Sequence, residues 1–136
     1  MVSPLVVSLV DGAWYRSAYE GTEKDERYRE VVRNSSRVVN FVNPSTVRVK
    51  GESITVGRDS SNGIIIDNIA VSKVHCRFFI LDGKWSIEDL GSTNGTFMLT
   101  DGRTAKVPKA EPAYLLKGEK IILGTTKSQT ILQVDW

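Results

Sequence analysis

From Thr46 to its end the chain is a series of short apolar stretches, each closed by a turn, with no helical period between them. Val47 and Val49 alternate with Arg48 and Lys50, and Ile54 and Val56 follow Gly51-Glu52. Ile64-Ile65-Ile66 is a run that asks to be buried behind Asn62-Gly63. His75 to Leu81 predicts a strand, Asp82-Gly83 a type I′ hairpin turn, and Lys84 to Asp89 the returning strand with Trp85 and Ile87 on one face. Asn94-Gly95 makes another tight turn before Thr96-Phe97-Met98, and Glu119 to Leu123 and Thr130 to Trp136 supply the last strands. Such punctuation leaves no place for crossover helices, so an all-β, antiparallel sandwich is expected. Val and Ile together number 26 against 15 for Ala and Leu, which points the same way. Thr100 to Leu116 holds two of the four prolines and no clear period, and reads as a long surface loop. Trp85, Phe97 and Cys76 are expected in the core.

The N-terminal part is different. Residues 3–10 read as a strand ended by Asp11-Gly12. Over residues 22–33, Thr22 or Asp25 can cap a helix, and Tyr28, Val31 and Val32 share one face among Glu and Arg. This predicts a short amphipathic helix or an ordered loop, ended by Ser35-Ser36, with Val38 to Val42 as another strand. Either Leu5–Val10 or Val38–Val42 serves as the first strand. With 136 residues there is room for one core, so residues 1–45 are expected to pack, as first strand plus extension or insertion, on the domain formed by 46–136.

Several function classes recede. The net charge of +2 is too weak a field to argue for direct nucleic-acid binding. No apolar run approaches the roughly 20 residues that cross a bilayer, and Met1 to Val10 lacks a cationic start, so an intracellular protein is expected. One cysteine allows no internal disulfide and no multi-cysteine zinc cage. The single histidine, His75, precedes Cys76 directly, and neighbours on a strand face opposite ways, so they form no catalytic pair. There is no Gly-x-Ser-x-Gly elbow and no Gly-x-x-x-x-Gly-Lys-Ser/Thr phosphate loop. No catalytic, metal or cofactor set is expected.

What remains is a group of turns carrying residues suited to an anion: Gly57-Arg58, Ser72-Lys73-Val74-His75, and Asp89-Leu90-Gly91-Ser92-Thr93-Asn94-Gly95-Thr96-Phe97. With Trp85 before them and Lys117-Gly118-Glu119-Lys120-Ile121 and Leu123-Gly124 after, these blocks in this order resemble the forkhead-associated (FHA) domain family over roughly residues 46–136. The resemblance implies a sandwich of about eleven strands whose loops at one end bind phosphothreonine peptides. It implies phosphate contacts for Arg58, Ser72, Lys73 and Thr93, a peptide-backbone contact for Asn94, and a bracing role for His75, with Gly57 and Gly95 meeting backbone demands. The chemistry is sound: a dianion needs a permanent cation and fixed donors, and an arginine fork supplies both charge and geometry.

The sequence also departs from the family pattern. Leu99 stands where many members carry a second asparagine, and Ala70 where they often place a residue reading the peptide's third position after phosphothreonine. An acidic preference there would need another cation, Lys73 or Lys127. Arg103, Lys106 and Lys109 are expected to be solvated. The expected function is therefore a non-catalytic module that recruits a protein partner phosphorylated on threonine. The alternative is a phosphate-independent scaffold or dimerisation domain using a sheet face or the N-terminal segment.

Overall fold

A computed structural model describes residues 2–17 and 41–136. Thirteen strands are found among them: β1 (Val6–Asp11), β2 (Trp14–Ser17), β3 (Phe41–Val42), β4 (Thr46–Arg48), β5 (Ser53–Gly57), β6 (Ile64–Ile66), β7 (Cys76–Leu81), β8 (Lys84–Asp89), β9 (Thr96–Thr100), β10 (Arg103–Lys106), β11 (Ala113–Tyr114), β12 (Lys120–Thr125) and β13 (Ser128–Asp135). They form a six-stranded sheet in the order β10-β9-β12-β13-β1-β4 and a seven-stranded sheet in the order β11-β8-β7-β5-β6-β2-β3. The expected sandwich is present, and the described residues contain no helix. The helix or loop expected over 22–33 lies outside the described residues.

Two expectations about the strands need correction. The second sheet is mixed, because β5 and β6 run parallel, with Val56 opposite Ile64 and Gly57 opposite Ile65. Only the end of β5 overlaps β6, so the short loop between them need not return along the strand as a crossover does. The stretch from Thr100 to Leu116 is also not simply a surface loop. Asp101 and Gly102 have φ of +51° and +76°, the left-handed pair of a tight hairpin, and join β9 to β10. Val107 and Leu115 from the same stretch are buried in the core.

Between the sheets lies a cluster that includes Trp14, Trp85, Phe78, Ile64, Ile66, Ile87, Ile121, Leu123 and Leu132. The alternation is plain in β12 and β13, where Ile121, Leu123, Leu132 and Val134 are buried and their neighbours Ile122, Ile131 and Gln133 are not. Each such large side chain contributes about 1.5–3 kcal/mol on leaving water. Both buried indoles find acceptors: Trp85 Nε1 donates to the Ser3 carbonyl and Trp14 Nε1 to that of Pro44. Cys76 is buried as expected, and burial pushes its thiol up, which makes it inert. Phe97 departs from expectation. It is half-buried and stands outside this cluster, since Thr96 turns inward and strand alternation then sends Phe97 outward.

Candidate functional site

Three loops meet at the end of the sandwich where β5 and β8 finish and β7 and β9 begin: 58–63, 67–75 and 90–95. Arg58, Ser72, Lys73, Thr93 and Asn94 line one open cleft of about 360 Å³, together with Ile69, Ala70 and Val71. The residues picked out for phosphate and peptide contact are thus brought together. Lys127 is not among the lining residues.

Backbone bonds set the loops against one another. The Arg58 and Asp59 amides donate to the Ser72 and Lys73 carbonyls, each at 3.0 Å. Arg58 Nε donates to the Val71 carbonyl at 3.0 Å, which aims the guanidinium along the cleft and leaves both terminal nitrogens without a described partner. Gly57 is required by proximity: a Cβ there would lie 2.3 Å from the Lys73 carbonyl oxygen. Asn62, buried at 2% exposure, bridges the same loops, its amide nitrogen donating to the carbonyls of Asp59 at 2.8 Å and Lys73 at 2.6 Å. In the sequence Asn62-Gly63 only marks the start of the Ile64-Ile65-Ile66 run, and this role is not visible there.

His75 is fully buried and holds two loops together. Its Nδ1 accepts the Ser72 amide at 3.0 Å, so Nε2 carries the proton and donates to the Gly95 carbonyl at 2.9 Å. Ser72 Oγ in turn accepts the Thr93 amide at 3.0 Å, which leaves the Ser72 hydroxyl proton free to point into the cleft. Asn94 Nδ2 donates one hydrogen to the Ala70 carbonyl at 2.7 Å and keeps its second hydrogen and its oxygen. Gly95 has φ of +89°, and a Cβ would press on the Phe97 ring and the Lys106 stem.

Beneath the third loop lies Asp89, 1% exposed. Its carboxylate accepts the hydroxyls of Ser92 and Thr96 and the amides of Gly91 and Ser92, and Ser92 Oγ accepts the Gly95 amide. Asp89 organises the turn that carries Thr93 and Asn94. It stood within the quoted motif, but strand alternation alone gave no sign that its carboxylate is the loop's central acceptor.

Burial favours the neutral form of both groups, with different outcomes. For Asp89 burial alone would raise the pKa, but the bonds from Ser92, Thr96 and Gly91 outweigh it and hold the carboxyl below its usual range. For His75 burial dominates and lowers the pKa from 6.5, against opposing pulls from the Gly95 carbonyl and Asp89. The unfolded chain therefore takes up a proton near pH 6.5 that the folded imidazole refuses. Stability is full above that value and falls as pH drops below it, by at most about 1.4 kcal/mol per unit until the folded ring protonates. Urea unfolding of the free protein at about pH 7.5 and 5.5 checks this: stability is lower at the acid value. With no other histidine in the chain, His75→Gln removes that slope.

The sequence model of the FHA domain family matches residues 54–124, which includes every one of these loops. This chain belongs to the FHA family. FHA domains are interaction modules. Curated relatives include the oxoglutarate dehydrogenase inhibitor of Corynebacterium glutamicum, 38% identical over 53 residues, covering 39% of this chain and 37% of that protein. That of Corynebacterium efficiens is 33% identical over 70 residues, covering 52% of this chain and 44% of that protein. The matches thus span less than half the length of these relatives. Among solved structures, the FHA domain of an Arabidopsis thaliana hypothetical protein superposes with a TM-score of 0.62 at 24% identity, covering 99% of this chain and 86% of that one. The N-terminal FHA domain of S. cerevisiae Rad53p, in complex with a phosphothreonine peptide, gives 0.57 at 17% identity, covering 97% and 92%. These superpositions show the FHA fold. Among the described residues no helix is long and apolar enough to cross a membrane, and no cluster of His, Cys, Asp and Glu could hold a metal.

Proposed function

We propose that this FHA domain recognises phosphothreonine in a partner protein and recruits that partner without catalysing a reaction on it. One observation carries the reading: Arg58 and Lys73 share an open cleft with hydroxyl donors, and neither has a carboxylate within ion-pair distance among the described residues. Two cations free of direct ion pairs, with Lys73 only within the field of the Asp59 carboxylate, are suited beside fixed donors to a dianion. Arg58 offers its two terminal nitrogens as a fork, Lys73 a second charge, and Ser72 and Thr93 their hydroxyls. Asn94, with one donor and its oxygen remaining, holds the peptide backbone beside the phosphoresidue.

Ile69 extends the reading. It lines the same cleft at 89% exposure, next to the uncharged Ala70. Asn68 anchors this loop by donating to the Ser128 carbonyl and the Thr130 hydroxyl, each at 3.1 Å, and by accepting the Ala70 amide. An aliphatic side chain held in water beside the cleft favours an apolar residue flanking the phosphothreonine over an acidic one.

Titration of an oriented phosphothreonine library, with phosphoserine and unphosphorylated counterparts, tests all of this. Binding is expected to require phosphate, to select an apolar flanking residue, and to prefer phosphothreonine to phosphoserine by about fivefold, the worth of one buried methyl. Equal binding of phosphorylated and unphosphorylated peptides overturns the reading.

A further inference from the structure

The outer face of the six-stranded sheet carries an apolar row that the sandwich does not use. Register places Lys106 beside Phe97, Phe97 beside Ile122, and Ile122 beside Ile131. A bulge between Leu9 and Asp11 then brings Asp11 opposite Ile131, with Val10 at 46% exposure. Phe97, Ile122 and Ile131 are half-buried, yet none belongs to the inter-sheet cluster or packs against it. They shield one another on the side of the sheet that faces away from the second sheet. The adjacent row reads Thr104, Leu99, Lys120, Gln133, Ser8.

The first row has a cation at one end, an anion at the other and apolar side chains between. Neither Lys106 nor Asp11 has an ion-pair partner among the described residues. Such a row is complementary to itself reversed. We infer that this face is a two-fold interface with a second copy of the chain, its axis running parallel to the strands between β12 and β13, the middle of the sheet.

That axis sets Ile122 on Ile131 of the partner subunit and Phe97 on the partner's Val10, and brings Lys106 within reach of the partner's Asp11. In the adjacent row it sets Lys120 opposite the partner's Gln133, which keeps the two copies of Lys120 off the axis. Every contact occurs twice, so each substitution counts twice. The cleft opens at the end of the sandwich, and the proposed face lies on its side, so both copies keep their clefts open. The dimer would present two clefts at a fixed spacing.

Sedimentation equilibrium of the full chain, wild type and variants, tests the interface. The wild type is expected to show a concentration-dependent monomer–dimer equilibrium, and Ile122→Glu to weaken it by at least about 100-fold. Because Ile122 faces outward, this variant should keep the wild-type circular dichroism and its phosphopeptide affinity. Lys106→Asp should weaken the dimer, and adding Asp11→Lys should restore it. A wild type that stays monomeric to millimolar concentration overturns the proposal. A dimer that survives Ile122→Glu, or a double charge reversal that fails to rescue, overturns it as well.

Discussion

Arg58→Ala is expected to lower affinity for a phosphothreonine peptide by at least about 100-fold, to the point where calorimetric titration no longer resolves binding. The guanidinium supplies the only rigid two-pronged donor in the cleft among the described residues, and deleting one partner of a hydrogen-bonded charge pair costs about 2–5 kcal/mol. The other partner, a phosphate already drawn from water, would be left to Lys73 alone. Folding should barely respond, because Arg58 is exposed and gives the protein a single side-chain bond, Nε to the Val71 carbonyl. Arg58→Lys should recover part of the loss, since a point charge replaces the fork. Unfolding curves that overlay the wild type while binding disappears would place the effect in recognition. An Arg58→Ala protein that binds phosphopeptide at wild-type strength would remove the basis of the proposed function.

Asp89→Ala should be the most damaging substitution near the cleft for folding itself, costing about 3–4 kcal/mol in urea or thermal unfolding. The carboxylate accepts from two hydroxyls and two amides in a site closed to solvent, and alanine leaves those donors without an acceptor. For a domain of this size that corresponds to a drop in Tm of roughly 10 °C or more. Phosphopeptide binding should weaken too, because the turn that presents Thr93 and Asn94 loses its centre. The same carboxylate adds an acid limit. Its folded pKa lies below the usual 3.8, so its contribution is complete above that value and is lost as pH falls through the folded pKa. A loss under about 1 kcal/mol in Asp89→Ala would mean that water or a rearranged loop replaces the carboxylate.

The fold was legible where side-chain period and turn chemistry agreed. Asp82-Gly83 between two alternating stretches announced a hairpin, and the left-handed φ values there meet that demand. Asp101-Gly102 is the same pair and went unread, because all four residues of β10 are exposed and an edge strand open to water carries no alternation. Phe97 was misplaced for a related reason. An aromatic residue in a strand defaults to the core, and the side it faces depends on Thr96, whose inward turn follows from the Asp89 carboxylate. The cleft residues were recognised from motif order, and the geometry brings them together. What joins them was less visible: Asn62 reaches the Lys73 carbonyl across to another loop, and Asp89 gathers the donors of the turn that follows it, a role strand alternation does not mark.

The bracing of the cleft rests largely on main-chain atoms. Asn94 takes hold of residue 70 by its carbonyl, His75 of residue 95, Asn62 of residue 73, and Arg58 of residue 71. A carbonyl is offered by any amino acid, so the side chain at position 70 carries no duty in holding the loops together. Ile69, whose side chain stands in water, is equally free of one. On the proposed function, exchanging residues 69 and 70 would change which peptides the domain prefers while leaving the proposed phosphate contacts in place. Choice of partner and detection of the modification would then be separable traits of one small scaffold.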